Sequence, residues 1–161
     1  VFNFMSHMRC EANKKTRLLH ENYFFPALPE SVALAEVALG YKLPTQLARF
    51  YKEVGWGQLQ TGENDQTSDF NYVASPEELV ALAHGTSDWL MPHSELEPST
   101  LPFFQRDVDL LLCLHPKSDN PNAVYWMWGQ DMPHGGRICD SLIEFFERLV
   151  IDPNWFNPAD A

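Results

Sequence analysis

Residues 39–59 constrain this chain more than any other stretch. One helix must stop there, a second must start within five residues, and a tryptophan between two glycines must lead into a strand. The segment reads Leu39-Gly-Tyr-Lys-Leu-Pro44, then Gln46-Leu-Ala-Arg-Phe-Tyr51, then Gly55-Trp-Gly-Gln-Leu59. Gly40 stands where a helix C-terminus passes through the left-handed region, which glycine enters without a Cβ penalty. Pro44 suits the first turn of a helix, where a missing N–H leaves no carbonyl without its donor. Leu47, Phe50, Tyr51 and Val54 recur at helical spacing and predict one apolar face. Gly55 ends that face, and Gly57 is expected to let the backbone past the large ring of Trp56.

The flanking segments extend this pattern. Residues 4–20 predict a helix with Phe4, Met5, Met8, Leu18 and Leu19 as its apolar contacts and Arg9, Lys14, Lys15 and Arg17 as a basic cluster, read as a solvated face. Asn22 to Pro29, with two prolines and three aromatics, predicts a connector that packs on the core. Ser31 to Leu39 predicts a short helix with Val32, Ala35 and Leu39 on one side, forming a tight hairpin with the helix after Pro44. Strands are expected at 57–60 and 70–73, with an acidic loop over 61–69.

Ser75-Pro-Glu-Glu78 is a helix start: Ser75 caps, Pro76 fits the first turn, and Glu78 completes a capping box. Residues 86–100 predict an ordered loop. The leucine run from Asp109 to His115 predicts a central strand buried on both faces. A turn-rich stretch separates it from the β-branched and aromatic strand 123–128, so the two predict an antiparallel hairpin. Residues 130–137 predict a loop. Ser141 and Glu144 open a last helix whose apolar face is Leu142, Phe145, Phe146 and Leu149. The tail, with Trp155 and Phe156, is expected to fold back on the body. Helices first, strands in the middle and a closing helix predict an α+β fold with a mostly antiparallel central sheet flanked by helices.

Length and charge bound the function. A chain of 161 residues, 45% of them hydrophobic, predicts one domain over 1–161, with an N-terminal helix and connector over 1–27 and a tail over 152–161. No apolar run approaches the roughly 18 residues of a membrane helix. The N-terminus lacks the apolar core of a secretory signal. Cys10, Cys113 and Cys139 are too few and too scattered for a disulfide scaffold, so a cytoplasmic setting is expected. Net charge is −11, from 11 Lys+Arg against 22 Asp+Glu, which disfavours direct binding to nucleic acid or to anionic membrane. Between Lys52 and Arg106 there is no cation, while Glu53, Glu63, Asp65, Asp69, Glu77, Glu78, Asp88, Glu95 and Glu97 all fall in that interval. This acidity reads either as a solvated surface or as a docking face for a basic partner.

Little in the chain points to chemistry. G-x-S-x-G, H-E-x-x-H and P-loop patterns are absent from the sequence. Cys113 and His115 share one face of the predicted strand, an arrangement that could activate a thiolate or supply two zinc ligands. Set within leucines, Cys113 reads more simply as a small buried hydrophobe. His84, His93 and His134 read as surface histidines, and Glu77-Glu78 as carboxylates favoured by a helix N-terminus. No metal and no cofactor is expected. Trp126 and Trp128 point to one side of their strand and Tyr125 and Met127 to the other. A side left exposed would present aromatic interface anchors.

The segment around Leu39-Gly40, Leu43-Pro44, Phe50-Tyr51 and Gly55-Trp-Gly57 resembles the signature of the SMI1/KNR4 family, also called SUKH. Ala35-Glu36, Leu101-Pro-Phe103 and Asp140-Ser-Leu142 with Glu144-Phe145 extend the resemblance over roughly residues 28–150. It implies the same α+β arrangement. It also implies a non-enzymatic bacterial immunity protein, cytoplasmic, that binds and neutralises a cognate protein toxin, often a nucleic-acid-directed enzyme. A toxin acting on nucleic acid needs a basic cleft, which an acidic array can occupy as phosphate does. The expected interface is where acid and aromatic residues meet: Trp56, Glu63, Asp65, Asp69, Tyr72, Asp88 and Trp89. A monomer is favoured. Two other readings stand beside this one: a regulatory or scaffold module that binds proteins, and a small hydrolase using Cys113 and His115.

Overall fold

The computed structural model describes residues 1–9, 22–60, 70–87, 99–106, 110–128 and 136–156. Among them, seven strands form one antiparallel sheet whose spatial order is the chain order. The strands are β1 (Tyr23–Phe25), β2 (Trp56–Gln60), β3 (Phe70–Val73), β4 (Leu101–Arg106), β5 (Leu110–Leu114), β6 (Val124–Trp128) and β7 (Arg137–Cys139). The helices are α1 (Pro29–Leu39), α2 (Thr45–Glu53), α3 (Pro76–Ala83) and α4 (Leu142–Ile151). The fold is therefore α+β with an antiparallel sheet, as the order of patterns predicts.

Local chemistry explains most boundaries. Gly40 ends α1 in the left-handed conformation at φ 81°. Pro44 occupies the cap position immediately before α2. Ser75 and Glu78 form a reciprocal capping box at the start of α3: the Glu78 N–H donates to Ser75 Oγ at 3.1 Å and the Ser75 N–H to Glu78 Oε2 at 2.8 Å. Ser141 caps α4 by accepting from the Glu144 N–H.

The core is a ring-dense layer between the sheet and the pair α2 and α4. Leu47, Phe50, Tyr51 and Val54 are all fully buried, the face that helical spacing predicts. Phe50 stacks on Phe146 at 4.2 Å, with Phe2 and Phe24 edge-on to Phe50 at 5.1 and 5.9 Å. Edge-on and stacked rings match the aromatic quadrupole and add to the area they bury. The Tyr51 hydroxyl donates to the Ala74 carbonyl at 2.6 Å, so this deeply buried phenol satisfies its polar end. Burial pushes its pKa well above the ordinary tyrosine value. The tail folds back: Phe156 packs on Phe104 and Phe145, and the Arg106 guanidinium donates to the Pro153 carbonyl at 3.3 Å and to Asn154 Oδ1.

Five expectations need correction. The predicted helix over 4–20 does not run through: a 3-10 helix covers Asn3–Met8, and Arg9 is extended and bridges Phe24. Residues 10–21 lie outside the described residues. The connector at 22–29 contains β1, and the predicted loop at 130–137 gives way to β7 from Arg137. Helix α1 leans chiefly on α3 and touches α2 less, so the two helices around Gly40 do not form a tight hairpin. Lastly, Gly57 makes room for a neighbouring strand and not for the Trp56 ring. A Cβ there would fall onto the Tyr23 carbonyl oxygen of β1, and one at Gly55 onto the carbonyl oxygen of Phe25.

Candidate partner-binding surface

Alternation along the strands gives the sheet two unlike faces. Phe24, Val73, Phe104, Leu112 and Val124 belong to the core beneath α2 and α4. The residues between them point the other way. On that second face one row of directly opposed residues crosses five strands: Tyr23, Gln58, Tyr72, Gln105 and Leu111. Phe25 and Trp56 lie opposite each other beside this row, their rings 5.0 Å apart. Farther along, Leu111, Cys113 and Met127 form a small separate apolar cluster with Tyr125 against it.

Exposure divides this face. Tyr23, Phe25, Trp56, Gln58 and Tyr125 are half-buried, whereas Gln105, Leu111, Cys113 and Met127 are buried. The Tyr23 hydroxyl donates to Gln58 Oε1 at 3.2 Å across the β1–β2 pair. The Tyr72 hydroxyl lies 2.9 and 3.1 Å from the two Glu78 carboxylate oxygens. Glu78 thus holds both the α3 cap and Tyr72, and only 9% of Tyr72 remains accessible. The result is a rigid edge of three half-exposed aromatic rings, Tyr23, Phe25 and Trp56, beside amide and phenol groups. Such amphipathic, low-entropy side chains suit protein recognition.

Of the residues expected at the interface, Trp56 and Tyr72 share this face. Glu63, Asp65, Asp69, Asp88 and Trp89 lie outside the described residues. The described members of the acidic interval are Glu53, Glu77 and Glu78. Glu53 accepts the Phe2 N–H at 2.9 Å and sits 3.7 Å from Arg49. The Phe2 hydrogen bond is the chief reason its carboxyl is held below the usual range. Glu77 is exposed. Sequence reasoning missed Tyr23 and Phe25, because they belong to a strand it took for a connector. The Gly55-Trp-Gly57 motif was the available signal, since glycines that admit a neighbouring backbone imply a neighbouring strand.

Of the thiol and histidine candidates, Cys113, Cys139, His84 and His115 are described, and Cys10, His93 and His134 lie outside the described residues. Burial pushes the Cys113 thiol up to about 12. Cys139 is pushed up to about 11, first by burial and then by Glu144. His115 sets its ring edge-on to Tyr125 at 4.6 Å. Among the described residues, no three His, Cys, Asp or Glu side chains are placed to hold a metal ion. No described helix is long and apolar enough to cross a membrane. In a Cys10→Ser background, folded protein at pH 8 is expected to resist iodoacetamide and to label at Cys113 and Cys139 only on unfolding. Rapid labelling of folded protein at Cys113 would favour the hydrolase reading.

Residues 26–148 match the model of the SMI1/KNR4 family (SUKH-1), nearly the span of the motifs over roughly residues 28–150. The chain is also similar to the immunity protein YxxD of Bacillus subtilis (strain 168). The two are 25% identical over 141 residues, covering 84% of this chain and 88% of that protein.

Proposed function

The chain belongs to the SMI1/KNR4 (SUKH-1) family, and from that premise we propose that it is an immunity protein that neutralises a cognate protein toxin by binding it. The observation that carries this reading is the relative named as an immunity protein, which aligns over 84% of the chain. The proposed role is non-enzymatic and cytoplasmic. The proposed contact surface joins the aromatic edge around Trp56 to the acidic residues Glu63, Asp65, Asp69 and Asp88, with Tyr72 and Trp89 beside them. A net charge of −11 favours a toxin with a basic surface, such as an enzyme acting on nucleic acid. Carboxylates would speed encounter and reject wrong partners, and aromatic anchors would lengthen the complex's life.

The test uses the toxin encoded by the neighbouring gene. Purified chain and toxin should associate, with an affinity that falls as salt rises. Reversing Asp65 and Asp69 to lysine should slow association by roughly tenfold at low salt while changing dissociation little. An association rate indifferent to both salt and charge reversal would place the contact elsewhere on the molecule.

A further inference from the structure

Helix α1 carries apolar residues on its outer side as well as on its packed side, a pattern closer to that of a helix buried all round than of one with a solvated face. It is not buried all round. Ala35 alone is buried within it, and Val32 and Leu39 are partly buried against the core. On its outer side Leu34 is 70% and Val37 80% accessible, with Ala33 and Ala38 exposed beside them and Leu28, at the cap, 61% accessible. Ala33, Leu34, Val37 and Ala38 follow the i, i+3, i+4 spacing of a single helix face. Isolated exposed leucines need no explanation, but a continuous apolar stripe on a soluble domain marks an interaction site.

The charges around the stripe say what covers it. Glu30, on its N-terminal turn, is exposed and pairs with no described cation, and neither does Glu77 on the adjoining α3. The cation next to the helix end, Lys42, is engaged by Glu36 at 2.7 Å, and Lys117 lies over the Tyr41 ring. Among the described residues the border is therefore acidic on balance, on a chain that already carries −11. A second copy is a poor occupant for two reasons. It would bring two acidic molecules together. A helix of 11 residues, about 16 Å long, laid against its twin also buries far less than the roughly 1,600 Å² of a stable interface. A groove that wraps the helix and carries cations on its rim meets both requirements.

We propose that the outer face of α1, centred on Leu34 and Val37, is a docking face received by an apolar groove bordered by lysine or arginine on the toxin. This rests on the immunity reading and adds a second contact, on a helix that the sheet face does not include. Two-point contact is one way a small domain reaches the area a tight complex needs.

The experiment compares wild type with Leu34→Ser/Val37→Ser, against the toxin domain encoded by the neighbouring gene. Both side chains project into solvent, so the double variant should keep the wild-type circular dichroism spectrum. Its Kd should rise tenfold or more, through faster dissociation. Glu30→Lys should instead slow association, and Leu34→Met should bind as wild type does. If wild type binds the toxin and the serine double variant binds equally well, the docking face is wrong while the immunity reading stands. If wild type does not bind the toxin, both fall. A wild-type dimer that the serine pair dissociates, with toxin affinity unchanged, would show that a second copy is the occupant and overturn the proposal.

Discussion

Phe145→Ala is expected to lower the free energy of unfolding by about 3–5 kcal/mol, the range for removing a buried phenylalanine ring. Phe145 is fully buried and stands where three parts of the chain meet. Its ring is edge-on to Phe104 of β4 at 5.2 Å and to Phe146 at 5.3 Å, and packs on Trp155 and Phe156 of the tail at 5.8 and 5.4 Å. Truncation leaves a cavity that neighbouring rings, locked by one another, cannot close. It also removes the floor on which the tail rests. Because a domain's whole stability is about 5–15 kcal/mol, the urea midpoint should fall sharply. The tail's share can be separated. Phe145→Ala and Phe156→Ala touch the same contact, so a double-mutant cycle should show coupling of about 0.5–1.5 kcal/mol. Additive losses would mean that the tail docks independently of α4. An unmoved midpoint for Phe145→Ala alone would contradict the packing described.

What could be read from the chain divides along a physical line. Helices α2, α3 and α4 were legible because each carries its own start signal and its own period; Ser75 with Glu78 and Ser141 with Glu144 specify helix ends whatever surrounds them. The hairpin β5–β6 was legible because an unbroken leucine run and a turn-rich linker leave few alternatives. Strands β1 and β7 were not, because three residues hold no period. Tyr23–Phe25 is a strand only because β2 offers it a ladder and Gly57 lets it approach. The N-terminal segment misled for a related reason. Phe4, Met5 and Met8 have helical spacing, but Arg9 leaves the helix to bridge Phe24, a tertiary contact that local spacing cannot announce.

The surface was less legible than the fold. Trp56 could be singled out by its glycine neighbours, yet the rings that join it come from β1, 31 residues earlier at Phe25 and invisible as a strand. Gln58 and Tyr72 face each other across β2 and β3, a pairing that alternation alone leaves undetermined by one residue. The outer face of α1 was legible in principle. Reading Val32, Ala35 and Leu39 as the packed side leaves Ala33, Leu34, Val37 and Ala38 opposite, where polar residues would be expected of a helix with one solvated face.

Substituting alanine at Gly55 or at Gly57 is expected to destabilise the protein by about 3 kcal/mol each, since strain and overpacking act together. Gly40→Ala should cost only about 1 kcal/mol. All three glycines have positive φ, at 116°, 150° and 81°, so a side chain is strained at each. Their surroundings differ. Nothing lies within 4 Å of a Cβ built on Gly40, whereas those on Gly55 and Gly57 meet the backbone carbonyls of Phe25 and Tyr23. Backbone cannot swing aside as a side chain can, so β1 must move. Moving it disturbs fully buried Phe24, which sits edge-on to Phe50, and separates the rings of Phe25 and Trp56. Urea midpoints of the three variants test the ranking. On the proposed immunity function the same displacement has a functional signature: Gly57→Ala, measured where it is still folded, should weaken toxin binding, while Gly40→Ala should not. Equal stability losses at all three positions would show that the approach of β1 is not why glycine is needed on either side of Trp56.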